Sequence, residues 1–225
     1  MNKAIVLANG QFPKRNEALQ AMLQMPLLVC CDGAYDKLVA SGLFSHSSHL
    51  PQIYVVGDGD SQSTDVNRSL LPNTTFVKEY TDQDTNDLTK AVKHTLSLGV
   101  ERMIILGATG LREDHTLGNI SLLAQYVDMK NADGKPVMVR MYTDYGIFTP
   151  IVETTVFTSF ARQQVSLFAL SSDVRLTSEG LRYPLQGRKL QGLWEATLNE
   201  ALGEQFTITV EGQGVTLVYQ THEAK

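Results

Sequence analysis

The central stretch of the sequence is an apolar run that leads into an acidic turn, Ile53-Tyr54-Val55-Val56-Gly57-Asp58-Gly59-Asp60-Ser61. Its apolar part predicts a buried strand. The turn presents Asp58 and Asp60 as Asp-x-Asp, which suits a hard cation such as Mg²⁺ because that ion prefers carboxylate oxygens and keeps waters for phosphates. The alternative is ordinary turn chemistry, in which Asp-Gly pairs are common.

A second acidic group follows in Asp82-Gln83-Asp84-Thr85-Asn86-Asp87, at a predicted helix start. Acidic residues also favour helix N-termini through capping and the helix dipole, so this group has a simpler explanation as well. Asp84 and Asp87 would share one face of the helix. Taken together, five carboxylates near two strand ends would repel one another, and a metal with bound phosphates would relieve that repulsion.

Strands and helices alternate through the first part of the chain. The predicted strands are 3–8, 27–31, 53–56, 75–77 and 103–106, and the predicted helices are 16–25, 35–40, 85–98 and 117–127. This alternation predicts a wound, mostly parallel α/β sheet, in which ligands bind at the carboxyl ends of the strands. The residues expected to converge at that edge are Asp32, Asp58, Asp60, Asp84, Asp87 and 107–114.

The sequence pattern changes after a turn-rich segment at 131–136. Short runs rich in Val, Thr, Phe and Tyr follow, at 137–142, 164–169, 206–211 and 215–220, without a long helical period. They predict an all-β sandwich, with 211–214 as a hairpin turn into the last strand. The predicted domains are therefore 1–135, α/β, and 136–225, all-β.

Composition limits the classes of partner and compartment. The chain has 225 residues, 43% of them hydrophobic, a net charge of −5 and no basic run, which argues against nucleic acid as the main partner. No apolar run is long enough to span a membrane. The only cysteines are the adjacent Cys30 and Cys31, so a disulfide framework is excluded and the reducing cytoplasm is the expected compartment.

A candidate phosphate-binding turn follows the fifth predicted strand, at Gly107-Ala108-Thr109-Gly110-Leu111-Arg112. Its glycines permit close backbone approach, and Arg112 can form a fork of hydrogen bonds to phosphate. The alternative is a tight strand-to-helix turn. The chain has neither a P-loop nor a dinucleotide-binding glycine motif after its first strand. Lys90 is either an ion-pair partner of Asp87 or a phosphate ligand.

Several segments of the sequence resemble, in their order along the chain, the motifs of the thiamine pyrophosphokinase family. The resemblance rests on 31–34, 57–61, 82–87 and 107–115, with Asn119, and on Gly180-Leu181-Arg182-Tyr183-Pro184-Leu185 in the β part. It implies ATP-dependent pyrophosphoryl transfer to thiamine, which gives thiamine diphosphate and AMP. It also implies a homodimer that holds thiamine between the catalytic domain of one subunit and the β domain of the other.

The resemblance also implies roles for individual residues. The magnesium ligands would be Asp58, Asp60 and Asp87, and further acidic positions of the catalytic site would be Asp32 and Asp114. The ATP-side residues would be Gly107, Thr109, Gly110, Arg112 and Asn119, and Lys90 joins them if it takes its alternative role as a phosphate ligand. The thiamine-side residues would be Gln83, Asp84, Tyr183, Thr197 and Asn199.

The sequence departs from the family pattern at two positions. Leu111 stands where a second glycine is usual, which narrows the space for a phosphate. Leu198 replaces a serine in the substrate-facing stretch, and the lost hydroxyl removes a hydrogen bond worth about 0.5–1.5 kcal/mol net. Trp194 lies nearby, either as a stacking surface for the substrate or as a core residue of the sandwich.

The expected mechanism is positioning of ATP and thiamine together with charge neutralisation. The alcohol of thiamine attacks the β-phosphorus and AMP leaves, while the general base stays open because an ordinary carboxylate is a poor base for an alcohol. Two rivals remain, a Mg²⁺-dependent nucleotide phosphohydrolase and a nucleotide- or thiamine-binding module without turnover.

Overall fold

The computed structural model describes residues 3–47, 49–57, 71–78 and 85–224. The chain divides into two compact units, Met1–Leu122 with Asp128–Asp144, and Leu123–Val127 with Tyr145–Lys225. No helix in the described ranges combines the length and the apolar character needed to cross a membrane.

The first unit alternates strands and helices, as predicted. Its elements are β1 Lys3–Leu7, α1 Asn16–Gln24, β2 Leu27–Cys31, α2 Asp32–Ala40, β3 Gln52–Gly57, β4 Thr74–Lys78, α3 Asp87–Ser97, β5 Arg102–Leu106, α4 Glu113–Tyr126 and β6 Met138–Tyr142. The last turn of α4, from Leu123, belongs to the second unit. The strands pair in parallel in the order β6-β5-β1-β2-β3-β4.

The inner strands of this sheet have continuous apolar sequences because both of their faces are buried. In β1 the four residues from Ala4 to Leu7 are buried, and in β2 the four residues from Leu28 to Cys31 are buried. Strands of this kind are typical of parallel sheets covered on both sides. The carboxyl ends of all six strands therefore meet at one edge, where the predicted site residues follow.

Helix α3 shows how the sequence sets an element that borders this edge. Asn86 caps its start, where the side-chain oxygen accepts a hydrogen bond from the Thr89 backbone N–H at 2.8 Å. Leu88, Ala91, Val92 and Leu96 form the buried stripe, and Gly99, at φ 74°, follows the end of the helix.

Strand β6 differs from the sequence expectation. Residues 137–142 were expected in the all-β part, whereas β6 pairs in parallel with β5, from Arg102 opposite Met138 to Ile105 opposite Met141. The alternation of buried Val139 and Met141 with more exposed neighbours fits a strand of either type of sheet. The predicted boundary between residues 135 and 136 falls before this strand.

The second unit is a sandwich of two antiparallel sheets, as predicted. Its strands are β7 Gly146–Ile151, β8 Thr155–Thr158, β9 Gln163–Ala169, β10 Arg175–Glu179, β11 Asn199–Glu200, β12 Gln205–Glu211 and β13 Thr216–Ala224. One sheet has the order β11-β9-β13-β7 and the other β10-β12-β8. Both contribute to one core, with Leu167 and Val218 from the first sheet and Leu176, Phe206 and Ile208 from the second.

The predicted hairpin at 211–214 is wrong. Strand β12 pairs with β10 and β8, whereas β13 pairs with β7 and β9, so this turn carries the chain from one sheet to the other. Gly212 has φ 93°, and a Cβ there would lie 2.3 Å from the Asp173 carbonyl oxygen. The turn therefore needs glycine at position 212, both for its positive φ and for the close approach of the Asp173 carbonyl. A glycine-containing turn between two strand patterns looks the same in the sequence whether the strands pair as a hairpin or lie in different sheets.

Candidate active site

Two loops at the carboxyl edge of the first sheet are joined by backbone hydrogen bonds. Strand β1 continues into 8–11 and β5 into 107–110, and the Ala8 N–H donates to the Leu106 carbonyl at 2.8 Å. The Gly10 N–H donates to the Gly107 carbonyl at 2.6 Å, and the Gln11 N–H to the Thr109 carbonyl at 2.8 Å. The candidate phosphate turn is therefore built against the loop that follows β1.

The glycines of these loops admit each other's backbone. A Cβ at Gly10 would lie 2.4 Å from the Gly107 oxygen, and a Cβ at Gly107, which has φ 66°, would lie 2.8 Å from the Ala8 oxygen. At Gly110, with φ 90°, a Cβ would meet the Gln11 side chain at 2.6 Å. Packing between the loops thus explains these glycines, and their part in ATP binding stays a prediction.

Lys37 on α2 holds the same region from the side. Its Nζ donates to the carbonyl oxygens of Asn9 at 2.8 Å and Gly10 at 2.7 Å. Partial burial lowers the pKa of Lys37. Sequence reasoning missed Gly10, Gln11 and Lys37 as parts of the site, and the turn pair Asn9-Gly10 was their only signal.

The side chain of Asn119 also contacts the turn 107–110, by a hydrogen bond to the backbone of the turn. The Asn119 side-chain nitrogen donates to the Ala108 carbonyl at 2.8 Å, which ties α4 to the segment 107–110. The structure therefore gives Asn119 a positioning contact, and any direct contact with ATP stays a prediction.

Two of the predicted acidic residues lie close to Cys31. Asp32 occupies the first turn of α2, three residues earlier than the predicted helix start, and it is fully buried. Burial raises the pKa of the Cys31 thiol well above its ordinary value, and the charges of Asp87, Cys30 and Asp32 raise it further. Asp32 and Asp87 therefore both lie near enough to Cys31, at the carboxyl end of β2, for their charges to act on its thiol.

Asp32 also lies beside the strand that leads into the acidic turn. A Cβ at Gly57, the last residue of β3, would lie 2.6 Å from the Asp32 Cβ. Gly57, which directly precedes Asp58 in the sequence, therefore leaves room for the side chain of Asp32.

Lys90 forms an ion pair with Asp87, which was one of the two roles predicted for it. The Lys90 Nζ lies 3.6 Å from an Asp87 carboxylate oxygen, and the side chain of Lys90 is 9% exposed against 44% for Asp87. A buried ammonium needs such a partner because desolvation penalises the charged form. Its role as a phosphate ligand stays a prediction.

Four predicted site residues lie outside the described residues, namely Asp58, Asp60, Gln83 and Asp84. Within the described ranges, no group of three or more His, Cys, Asp and Glu side chains is arranged to hold a metal ion. The magnesium assignment to Asp58, Asp60 and Asp87 therefore stays a prediction.

Arg112 and Asp114 form a two-point ion pair on the surface at the start of α4, which begins at Glu113, earlier than predicted. The Arg112 Nε donates to one oxygen of Asp114 at 3.1 Å, and an Nη donates to the other. Together with the His115 N–H, which donates at 2.8 Å, this pairing lowers the pKa of Asp114 to about 2. Asp114 is thus a weak base near neutral pH, and the pKa of Arg112 is raised.

In the second unit, Asn199 fixes the loop that presents Tyr183. The side chain of Asn199 is buried, accepts from the Tyr183 N–H at 3.1 Å and donates to the Tyr183 carbonyl at 2.7 Å. The Tyr183 side chain is 59% exposed. Asn199 therefore acts on the backbone of this loop, and Tyr183 presents the accessible ring.

The neighbouring segment exposes apolar side chains. Trp194 is 77% exposed, which excludes the alternative of a core tryptophan, and Leu198 is 66% exposed at φ 59°. The Thr197 hydroxyl donates to the Trp194 carbonyl at 2.8 Å, and the Leu198 N–H donates to the Ser166 hydroxyl at 3.2 Å. These contacts hold a residue other than glycine in the left-handed region.

Models of two protein domains match this chain. The thiamin pyrophosphokinase catalytic domain matches residues 18–133, and the thiamin pyrophosphokinase substrate-binding domain matches residues 146–219. The chain belongs to the thiamin pyrophosphokinase family. The resemblance identified from its motifs is thereby confirmed.

Individual members of the thiamin pyrophosphokinase family are distant in sequence. Thiamin pyrophosphokinase 1 of Caenorhabditis elegans is 25% identical over 187 residues, covering 79% of this chain and 72% of that protein. Thiamine pyrophosphokinase 2 of Arabidopsis thaliana is 32% identical over 145 residues, covering 56% of this chain and 52% of that protein.

Solved structures of the family share the fold. Thiamine pyrophosphokinase from Bacillus subtilis has a TM-score of 0.77 at 20% identity, over 98% of this chain and 99% of that one. Thiamin pyrophosphokinase from Candida albicans has a TM-score of 0.80 at 20% identity, over 99% and 89%. The predicted fold class, an α/β sheet followed by a β sandwich, is confirmed.

The two family domains divide the candidate residues between them. The catalytic-domain match contains Asp32, Asp87 and the turn 107–110, and the substrate-binding match contains Tyr183, Thr197 and Asn199. The loop 8–11 lies before the start of the catalytic-domain match at residue 18, although it is joined to 107–110.

Replacing Asn199 by Leu is expected to destabilise the substrate-binding domain of this thiamin pyrophosphokinase family member. The change leaves the part-buried N–H and carbonyl of Tyr183 without their side-chain partner, and an unsatisfied group that is buried costs about 1–3 kcal/mol. Urea unfolding measures this loss. Gln213→Leu removes an exposed amide from the same unit and should leave the unfolding free energy unchanged, and equal effects of the two changes would contradict the assigned role.

Proposed function

We propose that this chain transfers the pyrophosphoryl group of ATP to the hydroxyethyl oxygen of thiamine and produces thiamine diphosphate and AMP. The main support is the presence of both family domains, catalytic and substrate-binding, in one chain. The position of Asp32 and Asp87 near Cys31, at the carboxyl end of β2, agrees with a phosphate-transfer site at that edge.

The proposed metal is Mg²⁺, held by Asp58, Asp60 and Asp87. Carboxylate oxygens are the donors that this ion prefers, and the acidic composition of the edge fits it. When bound, the ion supplies charge neutralisation between phosphate oxygens. Asp32 adds a buried carboxyl group beside Gly57, the residue that precedes the proposed ligand Asp58.

The proposed ATP side is the turn 107–110 with Arg112, Asn119 and Lys90. Arg112 can offset charge on the triphosphate, with Asp114 orienting its guanidinium group. The low pKa of Asp114 favours this orienting role over proton abstraction from the alcohol. Asn119 would act through the Ala108 carbonyl, and Lys90 beside Asp87.

The proposed thiamine side combines Gln83 and Asp84 with Tyr183, Thr197 and Asn199. In this proposal Asn199 positions the loop of Tyr183, whose exposed ring offers a flat surface, and Trp194 offers a second one. Leu111 and Leu198 are 61% and 66% exposed, so both departures from the family pattern present apolar side chains.

The deciding experiment mixes the full chain with ATP, Mg²⁺ and thiamine and separates the products by chromatography. Equal amounts of AMP and thiamine diphosphate are expected. ADP or AMP formed without thiamine would instead identify a nucleotide phosphohydrolase. Saturable binding of both ligands without product would identify a binding module, and either result would overturn the proposal.

We also propose a homodimer whose active site is shared between subunits, in a reducing cytoplasm. The exposed Trp194, Leu193 and Leu198 support an apolar contact surface, and the buried free thiols Cys30 and Cys31 suit a reducing compartment. Mixing inactive Asp60→Asn and Tyr183→Ala chains tests the sharing. Activity recovered on mixing is expected, whereas a monomer in sedimentation or no recovery would refute it.

A further inference from the structure

Three cationic side chains share one face of the first sheet, at β1, β5 and β6. Lys3 pairs with Arg102 in the parallel register, and Ile104, two residues further along β5, pairs with Arg140. Register partners and residues two apart lie on the same side of a sheet. We call Lys3, Arg102 and Arg140 the basic face.

The basic face borders a pocket. A cavity of about 170 Å³ is lined by all three cations together with Met25, Met138 and Tyr142, all within the first unit. This volume suits a small polyatomic ion with a few waters and is below the usual range for drug-sized ligands.

Within the described residues, the charges of the basic face are incompletely balanced by carboxylates. Like charges on paired strand positions destabilise a sheet. Glu101 is close enough to Arg102 to interact with it, but the first cause of the lowered pKa of Glu101 is its hydrogen bond from Lys135, at 2.9 Å. The cluster also stands in a chain with a net charge of −5, so it does not reflect a generally basic surface.

Arg140 supplies an independent observation. Its Nε is buried from solvent and has no hydrogen-bond partner in the part of the chain that the structure describes. A buried N–H of this kind is costly unless an ion or water satisfies it. A guanidinium group offers two parallel donors to an oxyanion, so an anion in the pocket would satisfy the group and separate the like charges.

We propose that the basic face binds a phosphate-class oxyanion at a site separate from the catalytic edge. Lys3 and Arg102 begin β1 and β5, whereas the loops 8–11 and 107–110 follow the opposite ends of these strands. A five-residue strand spans roughly 13–17 Å, which separates the two ends. The site is independent of the proposed reaction, because Lys3, Arg102 and Arg140 are not among the proposed ATP or thiamine contacts.

The experiment titrates inorganic phosphate into the full chain at constant ionic strength, without ATP, thiamine or Mg²⁺. Saturable binding is expected by calorimetry, and Arg140→Met should weaken it by about tenfold or more because charged hydrogen bonds are lost. Arg140→Lys should retain part of the affinity through its charge. Lys130→Met removes an exposed cation of the same unit outside the pocket and should leave the affinity unchanged.

Arg112→Met distinguishes this site from the proposed nucleotide side. Phosphate affinity should survive that change if the basic face binds the ion, and turnover in low phosphate should survive Arg140→Met. Circular dichroism and thermal unfolding without phosphate verify that each variant is folded. Absence of saturable binding, equal affinity for acetate, or loss of affinity in Arg112→Met but not in Arg140→Met would overturn the proposal.

Discussion

Replacing Asp60 by Asn is expected to lower kcat/KM for thiamine diphosphate formation by about 10³-fold or more, equivalent to at least about 4 kcal/mol of transition-state stabilisation. The change removes one proposed Mg²⁺ ligand charge and keeps the size of the side chain. The fold should persist, because the core of the first unit consists of the apolar residues of the sheet and its helices. Product formation at saturating Mg²⁺ and urea unfolding measure the two effects.

Asp133→Asn provides a matched control for this change. Asp133 is an exposed carboxylate in the loop before β6, far along the chain from the acidic turn, and its amide variant should keep full activity. Near-normal turnover of Asp60→Asn with Mg²⁺ would remove Asp60 from the metal site. A comparable loss in Asp133→Asn would point to a general effect of charge.

Replacing Gly10 by Ala is expected to destabilise the first unit by about 1–3 kcal/mol, the usual cost of overpacking. The new Cβ would lie 2.4 Å from the Gly107 oxygen and 2.7 Å from the Thr109 oxygen, so the two loops must separate. If 107–110 binds ATP, its displacement should also raise the KM for ATP. Urea unfolding and initial rates at varied ATP check both expectations.

Gly118→Ala separates this steric effect from the general effect of adding a methyl group. Gly118 lies inside α4, and a Cβ there meets nothing within 4 Å. Alanine favours a helix interior over glycine by up to about 1 kcal/mol, so this variant should be more stable than the parent chain. Equal stability changes in the two alanine variants would refute the close packing of the loops 8–11 and 107–110.

The sequence was a good guide wherever burial dictates residue type. Strands β1 and β2 could be predicted because both of their faces are covered, which requires continuous apolar runs. Helix α3 could be predicted from its apolar stripe. The parts that were missed depend on partners distant in the chain: β6 joins the first sheet because of its neighbour β5, which its alternating pattern cannot reveal.

The sequence predicted where some of the candidate residues lie in the fold, and their roles in a site stay predictions. The position of Asp32 and Asp87 after strands or at helix starts followed from the alternation of elements. The role of Lys37 could not be predicted, because its acceptors are backbone carbonyls of a loop that has no side-chain signature. Asn199 was predicted on the thiamine side, which stays a prediction, and its contact with the backbone of Tyr183 could not be predicted from the sequence.

The central place of β1 in its sheet has a consequence for synthesis of the chain. Strand β1 pairs with β2 on one side and with β5 on the other, and β5 is made only after α2, β3, β4 and α3 have followed β2. Until then the edge formed by Ala4, Ile5 and Val6 lacks its second neighbour, and open apolar edges invite pairing with other chains. Nascent chains released before Arg102 should therefore aggregate, whereas those extending beyond Leu106 can close the sheet.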